Sequence, residues 1–315
     1  MDESDPSPGR ILSVNISVEK GTIKQPVPMI RLYDEGVAGD AHAGPWFRQV
    51  SLLGMDSIRR FSAQAGRDFQ PGEFAENLTV EGLDFSKIVP LDRLVIGEAE
   101  LEVTQLGKKC HGDGCAIFRE VGRCVMPKEG IFSRVLRGGE VRSGDTVEHR
   151  RRVLRGHIIT VSDRASRAEY GDRSGPEVVN GLQKYFSGRA WITQWTQEIV
   201  PDEADRLRGA LQAACEGGAK VVFTTGGTGI GPRDITPEVV LGLADKIIPG
   251  VMEQVRLKYG SEHPNALLSR SVAAVVGKTL IYALPGSPKA VEEYMGEILK
   301  SLEHALLMVQ GLGHG

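Results

Sequence analysis

Three aspartates and one glycine-rich run carry the most chemistry in this chain. The run is VVFTTGGTGIGPRD, residues 221–234, in which Gly226, Gly227, Thr228, Gly229, Ile230 and Gly231 follow an apolar stretch. Glycines take positive φ and let a backbone approach a ligand closely. Successive N–H groups, with the hydroxyls of Thr225 and Thr228, can therefore wrap an anion. Asp234 closes the run with a carboxylate suited to a hard cation such as Mg²⁺, and Arg233 beside it is placed to steady negative charge. Asp163 in VSDR and Asp202 in VPDE likewise follow apolar stretches, and Ser162 and Ser287 add hydroxyls. Carboxylates beside a phosphate-wrapping loop suit phosphoryl or nucleotidyl transfer, where positioning and charge neutralisation dominate. The loop lacks the G-K-[ST] ending of a P-loop, and Pro232 stands where G-x-G-x-x-G needs its last glycine. A plainer reading remains open: a glycine-rich turn can serve only to turn, and each aspartate only to cap a helix.

A second cluster, KKCHGDGCAIFREVGRC, brings together Cys110, His111, Cys115 and Cys124. Lys108 and Lys109 precede Cys110, and nearby cations favour the nucleophilic thiolate. Cysteine and histidine also ligate zinc, but the spacing departs from the usual paired pattern. A reactive thiol, a metal site and inert cysteines all stay open on the residues alone.

The elements that must position these groups differ between the halves. From residue 157 onward, strand and helix patterns alternate, which predicts an α/β fold with a mainly parallel sheet. Strands are expected at 157–161, 192–200 and 221–225, with a hairpin over 272–276 and 280–284. Ser174-Gly175-Pro176, Pro201-Asp202-Glu203 and Thr236-Pro237-Glu238 read as helix starts, and a last helix runs from Pro288 to near Gln310. Four polar loops then follow strands: TVSDR, VPDE, TGGTGIGPRD and LPGSP, the last with Pro285 and Gly286. Such loops line the ligand crevice of open α/β sheets. Residues 10–148 read instead as short strands with one helix, Asp56–Ala65, which suggests a barrel or sandwich.

A length of 315 residues suits two domains. The net charge of −3 gives no electrostatic footprint for nucleic acid. No apolar run reaches membrane-spanning length. The acidic, Pro/Ser-rich start, residues 1–9, reads as a disordered tail and not a signal peptide. Four cysteines do not suggest a disulfide scaffold, so a reducing, cytoplasmic setting is expected. Glu148–Gly156 carries Arg150, Arg151, Arg152 and Arg155 and reads as a solvated junction, with a linker over 149–156.

Two resemblances follow from longer segments. EGVAGDAHAG (35–44), GEFAENLTVEGLDF (72–85), LEVTQLGKKC (101–110) and EGIFSRVLRGGEVRSGDTV (129–147) resemble a MOSC domain, the C-terminal module of molybdenum cofactor sulfurases. That resemblance covers 10–148 and implies a β-barrel-like fold in which Cys110 carries sulfur or contacts the cofactor. VSDRAS, DRSGP (172–176), VPDE, TTGGTGIGPRDITPE (224–238) and LLSRSVAAVVGKTLIYALPGSPKAV (267–291) resemble the MogA/MoaB family of molybdopterin adenylyltransferases. This covers roughly 155–311, essentially the whole expected second domain of 157–315, and implies a three-layer α/β/α sandwich, usually trimeric, that adenylylates molybdopterin with Mg²⁺ and ATP. The resemblance implies catalytic or metal-handling roles for Asp202 and Asp234. It further implies ligand contacts for Ser162, Asp163, Ser174, Gly175, Thr225, Gly226, Gly227, Thr228, Gly229, Pro285, Gly286 and Ser287.

The expected protein is therefore a MOSC barrel fused to a molybdopterin adenylyltransferase domain. A separate MoeA-type partner would insert molybdate, and neither nucleic acid nor membrane is an expected partner. The alternative is a non-catalytic molybdopterin carrier with the MOSC half as the active sulfur module.

Overall fold

Short strands of alternating burial build the first of two units into which the chain divides, Met1–Arg152 and Val153–Gly315. The computed structural model describes residues 8–108 and 124–312. Cys110, His111 and Cys115 lie outside the described residues. The first unit contains β1 (Gly9–Ile16), β2 (Gln25–Val27), β3 (Met29–Tyr33), β4 (Gly36–Val37), β5 (Val50–Gly54) and β6 (Leu78–Glu81). It continues with β7 (Arg93–Ile96), β8 (Ala99–Leu106), β9 (Ile131–Arg137), β10 (Gly139–Arg142) and β11 (Thr146–Arg150). The main sheet runs β11-β7-β8-β9-β5-β6-β1-β2, and β11 pairs back to β1 through Gly9↔Val147 and Arg10↔Thr146. The sheet thus closes on itself as a barrel, beside a small β10-β3-β4 sheet.

Burial in β3 and β11 alternates residue by residue, as period-two side chains on a one-sided sheet require. Strand β5 is buried throughout, because helix α1 (Met55–Ala65) covers its outer face. Leu52 packs inward with Ile11, Leu78 and Leu101, whereas Leu53 packs outward with Ile58, Phe61 and Phe74.

The stretch expected as a linker, 149–156, is mostly strand. Strand β11 runs to Arg150 and β12 (Val153–Val161) begins three residues later. Val147, His149 and Leu154 turn inward while Arg150 and Arg152 face water. A polar run on the solvent side of a strand reads like a linker when only composition is seen. Gly9, expected in the tail, already belongs to β1.

The second unit holds β12, β13 (Ile192–Val200), β14 (Val221–Thr225), β15 (Lys246–Ile247), β16 (Ala273–Val276) and β17 (Thr279–Leu284), ordered β13-β12-β14-β17-β16-β15. The first four of that order are mutually parallel, and β16 joins β17 antiparallel as a hairpin. Its helices are α2 (Ser174–Phe186), α3 (Ala204–Glu216), α4 (Thr236–Leu243), α5 (Pro249–Gly260), α6 (Pro288–Ile298) and α7 (Leu302–Val309). One helical layer covers each face. Val221 and Phe223 pack with α2, α5, α6 and α7 residues, and Val222 packs with Leu207, Leu211, Val239 and Val240 from α3 and α4. Strands buried on both faces explain the unbroken apolar runs in the sequence.

The single last helix expected to residue 310 is two helices. A tight turn, with Lys300 and Ser301 N–H groups donating to Glu297 and Ile298, re-aims the chain so that Leu302 and Leu306 are buried. Among the described residues no helix is long and apolar enough to cross a membrane.

Candidate functional site

Parallel register brings the four polar loops to one edge of the second sheet. Val161 lies opposite Val200, Thr160 opposite Thr225, and Thr225 opposite Leu284. The chain leaves β12 for β13 on one side and returns to β14 on the other. That reversal is the switch point at which open α/β sheets take ligands.

Asp163 and Asp202 meet across the edge. Asp202 Oδ2 accepts the Asp163 N–H at 2.8 Å, and Asp163 Oδ1 accepts the Asp202 N–H at 3.0 Å. Arg233 donates to Asp163 Oδ2 at 2.6 Å, and this contact holds the Asp163 carboxyl below its ordinary range. Burial pushes the Asp202 carboxyl up, and the negative charges of Asp163 and Asp234 push it further. Asp202 does not cap α3: that helix starts from Glu203 with no side-chain cap. Asp234 Oδ2 accepts the Gly231 N–H at 2.8 Å.

The glycine loop is shaped by close approach. Gly227 has φ +62°, and a Cβ there would lie 2.5 Å from Thr236 Oγ1 and 3.6 Å from Asp202 Oδ1. A Cβ on Gly229 would lie 2.7 Å from Asp234 Oδ2. Thr236 closes the loop from behind, donating its hydroxyl to Gly226 O at 2.9 Å and its N–H to Gly227 O at 3.0 Å. Among the described residues the N–H groups of Gly227, Thr228, Gly229, Ile230 and Ile235 have no acceptor. They form a cradle of free donors backed by the N-terminus of α4.

Several expected ligand contacts are supports for this site. Thr225 is fully buried and Ser174 nearly so, and their hydroxyls meet at 2.9 Å. Both belong to a chain ending on Asp172, whose Oδ1 accepts the N–H and hydroxyl of Ser174 and the Gly175 N–H, and whose Oδ2 accepts the Thr160 hydroxyl at 2.6 Å. Gly175 is needed here, since a Cβ would lie 2.5 Å from Asp172 Oδ2. Thr228 is buried, with its carbonyl bonded to the Arg270 N–H. Ser162 and Ser287 accept N–H bonds from Ala165 and Ala290, capping a short helical turn and α6. Pro285 is half-buried and Gly286 exposed; a Cβ on Gly286 would lie 3.3 Å from Gly226 Cα, so the two loops touch.

Asp172, Thr160 and Arg270 are thus structural members of the site with no role assigned from sequence, and Thr236, expected only as a helix start, joins them. An aspartate two residues ahead of Ser174 is a helix-cap signal and could have marked Asp172. Nothing local marks Arg270.

The donor set fits a hydrated divalent cation. Asp202 Oδ1 and Asp234 Oδ1 carry no hydrogen bond among the described residues, and the Asp202 carboxyl is raised first by burial and then by the charges of Asp163 and Asp234. No group of three or more His, Cys, Asp or Glu among the described residues forms a metal cage. Mg²⁺ is typically held by one or two carboxylates, waters and substrate phosphates.

A cavity of about 500 Å³ also opens along β12, β13 and α3. It contains none of these residues, and its His157 is bonded at both nitrogens, to Thr196 and Glu198.

In the barrel, a cavity of about 70 Å³ is lined by His42, Trp46, Arg48, Asn77, Lys108 and Phe132 among others, with no carboxylate among the described residues of its wall. Arg48 lies 5.0 Å over the Trp46 ring, and its buried Nε has no acceptor among the described residues. Behind the wall, Lys24 pairs with Asp40, both side chains fully buried. Burial opposes the Asp40 charge, yet bonds from His42 and Lys24 outweigh it and hold the carboxyl well below the usual range. Asn77 Nδ2 donates to Asp40 Oδ2 at 3.1 Å, which ties the cavity wall to this pair.

Comparison with known proteins agrees in both halves. Residues 157–304 match the probable molybdopterin binding domain family and residues 39–148 match the MOSC domain family. The chain is 37% identical over 158 residues to the molybdenum cofactor biosynthesis bifunctional protein of Synechococcus elongatus, covering 50% of this chain and 48% of that one. It therefore spans about half the length of that relative. It is 35% identical over 155 residues to the molybdopterin adenylyltransferase of Helicobacter pylori strain J99, covering 49% of this chain and 86% of the relative. A solved MoaB, a molybdopterin biosynthesis enzyme from Thermus thermophilus, is 38% identical, covering 50% of this chain and 97% of its own, with a TM-score of 0.45.

Proposed function

The chain belongs to the molybdopterin adenylyltransferase family through its second unit, and from that premise we propose that it transfers an adenylyl group from ATP to molybdopterin. The observation that carries the reading is the donor cradle at Gly227–Ile235 facing the carboxylates of Asp202 and Asp234. In the reaction, the terminal phosphate oxygen of molybdopterin attacks the α-phosphorus in line. A new P–O bond forms, and the bond to the departing pyrophosphate breaks. Free loop N–H groups hold the phosphate oxygens, and the α4 N-terminus adds positive potential. Asp202 and Asp234 would hold Mg²⁺, which when bound would supply Lewis-acid neutralisation of phosphate charge. Arg233, held by Asp163 beside the same edge, faces the developing negative charge. Ser162, Asp163, Ser174, Gly175 and the Pro285–Ser287 turn frame this crevice.

The barrel unit binds the maturing cofactor or handles sulfur. Its cationic cavity, with Arg48 and Lys108 free of carboxylate partners among the described residues, supports an anionic ligand there. Cys110, two residues after Lys108, is the proposed sulfur-handling thiol, with Cys110→Ala as its test. Family membership further supports a trimer through the second unit, a cytoplasmic location and a separate MoeA-type partner for molybdate insertion.

The deciding experiment supplies ATP, Mg²⁺ and molybdopterin and measures pyrophosphate release by wild type and Asp234→Ala. Release by wild type, reduced on the order of 100-fold in the variant, is expected. Molybdopterin binding without any release by wild type would replace the enzyme with a carrier.

A further inference from the structure

Arg270 sits just before β16, between Ser269 and Ser271, and gathers the back of the glycine loop. Its N–H donates to Thr228 O at 2.9 Å, its Nε to Gly229 O at 2.6 Å, and its Nη2 to Asp234 O at 2.7 Å. Its Nη1 pairs with Glu238 on α4. One residue thus takes three carbonyls from a single loop, and an ion pair anchors it to the helix the loop leads into.

The consequence follows from peptide geometry. A trans peptide is planar, and its C=O and N–H point in opposite directions. Three carbonyls turned toward Arg270 turn the N–H groups of Gly229, Ile230 and Ile235 the opposite way. Those three N–H groups have no acceptor among the described residues. Thr236 acts in the same sense one step earlier, by taking Gly226 O and Gly227 O. The guanidinium also places a positive charge behind peptide dipoles whose positive ends face outward.

We propose that Arg270 is a positioning residue that sets the loop in its anion-binding form, aiming the Gly229, Ile230 and Ile235 N–H groups at a phosphate of a nucleoside triphosphate. This rests on the reading that the loop holds phosphate. Arg270 acts through the loop backbone and need not touch substrate. Its chemistry is specific to a planar fork: a lysine ammonium keeps the charge but cannot span Gly229 O and Asp234 O together.

The test uses the full chain as wild type, Arg270→Ala and Arg270→Lys, with inorganic pyrophosphate and ATP as probes in calorimetry. Amide hydrogen exchange at Asp234 and Thr236, both bonded within the loop, is followed in parallel. Both variants should bind each probe about tenfold or more weakly, with KM for ATP rising more than kcat falls. Millimolar guanidinium should restore part of the Arg270→Ala loss, and the two amides should exchange faster. Unchanged affinity in a variant whose circular dichroism and Tm match wild type would overturn the proposal. So would full recovery by lysine, which would make charge alone sufficient. If wild type binds neither probe, the nucleotide reading fails by itself, and unchanged exchange in Arg270→Ala then counts against the positioning role.

Discussion

Asp163 and Asp202 each accept the other's backbone N–H, at 3.0 and 2.8 Å, although 39 residues separate them. The two strand ends of β12 and β13 are thereby tied by a pair of carboxylates. Both side chains are then committed in position while Asp202 Oδ1 stays open toward the glycine loop.

Replacing Asp202 should separate stability from activity. Its carboxyl is raised by burial and by two acidic neighbours, so the folded protein binds that proton more tightly than the unfolded chain. The resulting destabilisation is absent below the ordinary carboxylate value of 3.8 and complete above the folded value. Asp202→Asn removes the charge and keeps an acceptor for Asp163. It should melt above wild type at pH 7, with the gap closing as pH falls toward 4, and should lose pyrophosphate release on the order of 100-fold. Melting curves from pH 4 to 8 decide the sign, and a lower Tm at pH 7 would contradict it.

A methyl group at Gly227 has nowhere to go. The residue holds φ +62°, and a Cβ would lie 2.5 Å from Thr236 Oγ1. Gly227→Ala should cost about 1–3 kcal/mol through backbone strain and displacement of Thr236. The urea midpoint should fall at unchanged slope, and KM for ATP should rise as the cradle distorts.

Asp172 accepts from Thr160, from the N–H and hydroxyl of Ser174, and from the Gly175 N–H. Removing it by Asp172→Ala strands two N–H groups at the start of α2. A loss of about 1–2 kcal/mol in denaturant unfolding is expected, as for other helix caps. Asp172→Asn keeps one acceptor oxygen and should lose less; equal stability of Asp172→Ala and wild type would refute the capping role.

Lys24 and Asp40 are both fully buried in the barrel. Lys24→Met leaves the Asp40 charge without its partner and should destabilise the barrel by about 3–5 kcal/mol. The Lys24→Met, Asp40→Asn double variant should recover much of that, because no uncompensated charge remains. A double variant no better than the single one would show that packing, and not charge, sets the cost.

Much of this architecture was legible in local pattern. Ile192–Val200 was readable as a strand and Asp56–Ala65 as a helix to within one residue, because apolar spacing records which face is buried. The two strand ends at Val161 and Thr225 could be placed because a polar loop follows each apolar run. The arginine-rich stretch around Arg150 marked the boundary between the two units, at Arg152 and Val153, but hid its strands, since charge records only the solvent face of β11 and says nothing of Val147 and His149 beneath it. Motif resemblance implied ligand contacts for Ser174 and Thr225 but carries no depth; both are buried.

The amino-acid sequence alone determined two fold classes, the glycine loop and the carboxylates at strand ends, because these follow from side-chain periodicity and backbone freedom within a few residues. Tertiary structure alone decided what those groups do to one another. Sheet register set Thr160 beside Thr225, 65 positions away, and so built the Asp172 chain beneath the loop. The turn before β16 carried Arg270 back to carbonyls 36 and 41 positions earlier. Hydrogen bonds act over about 3 Å of space, and distance along the chain does not encode distance in space until the sheet has formed.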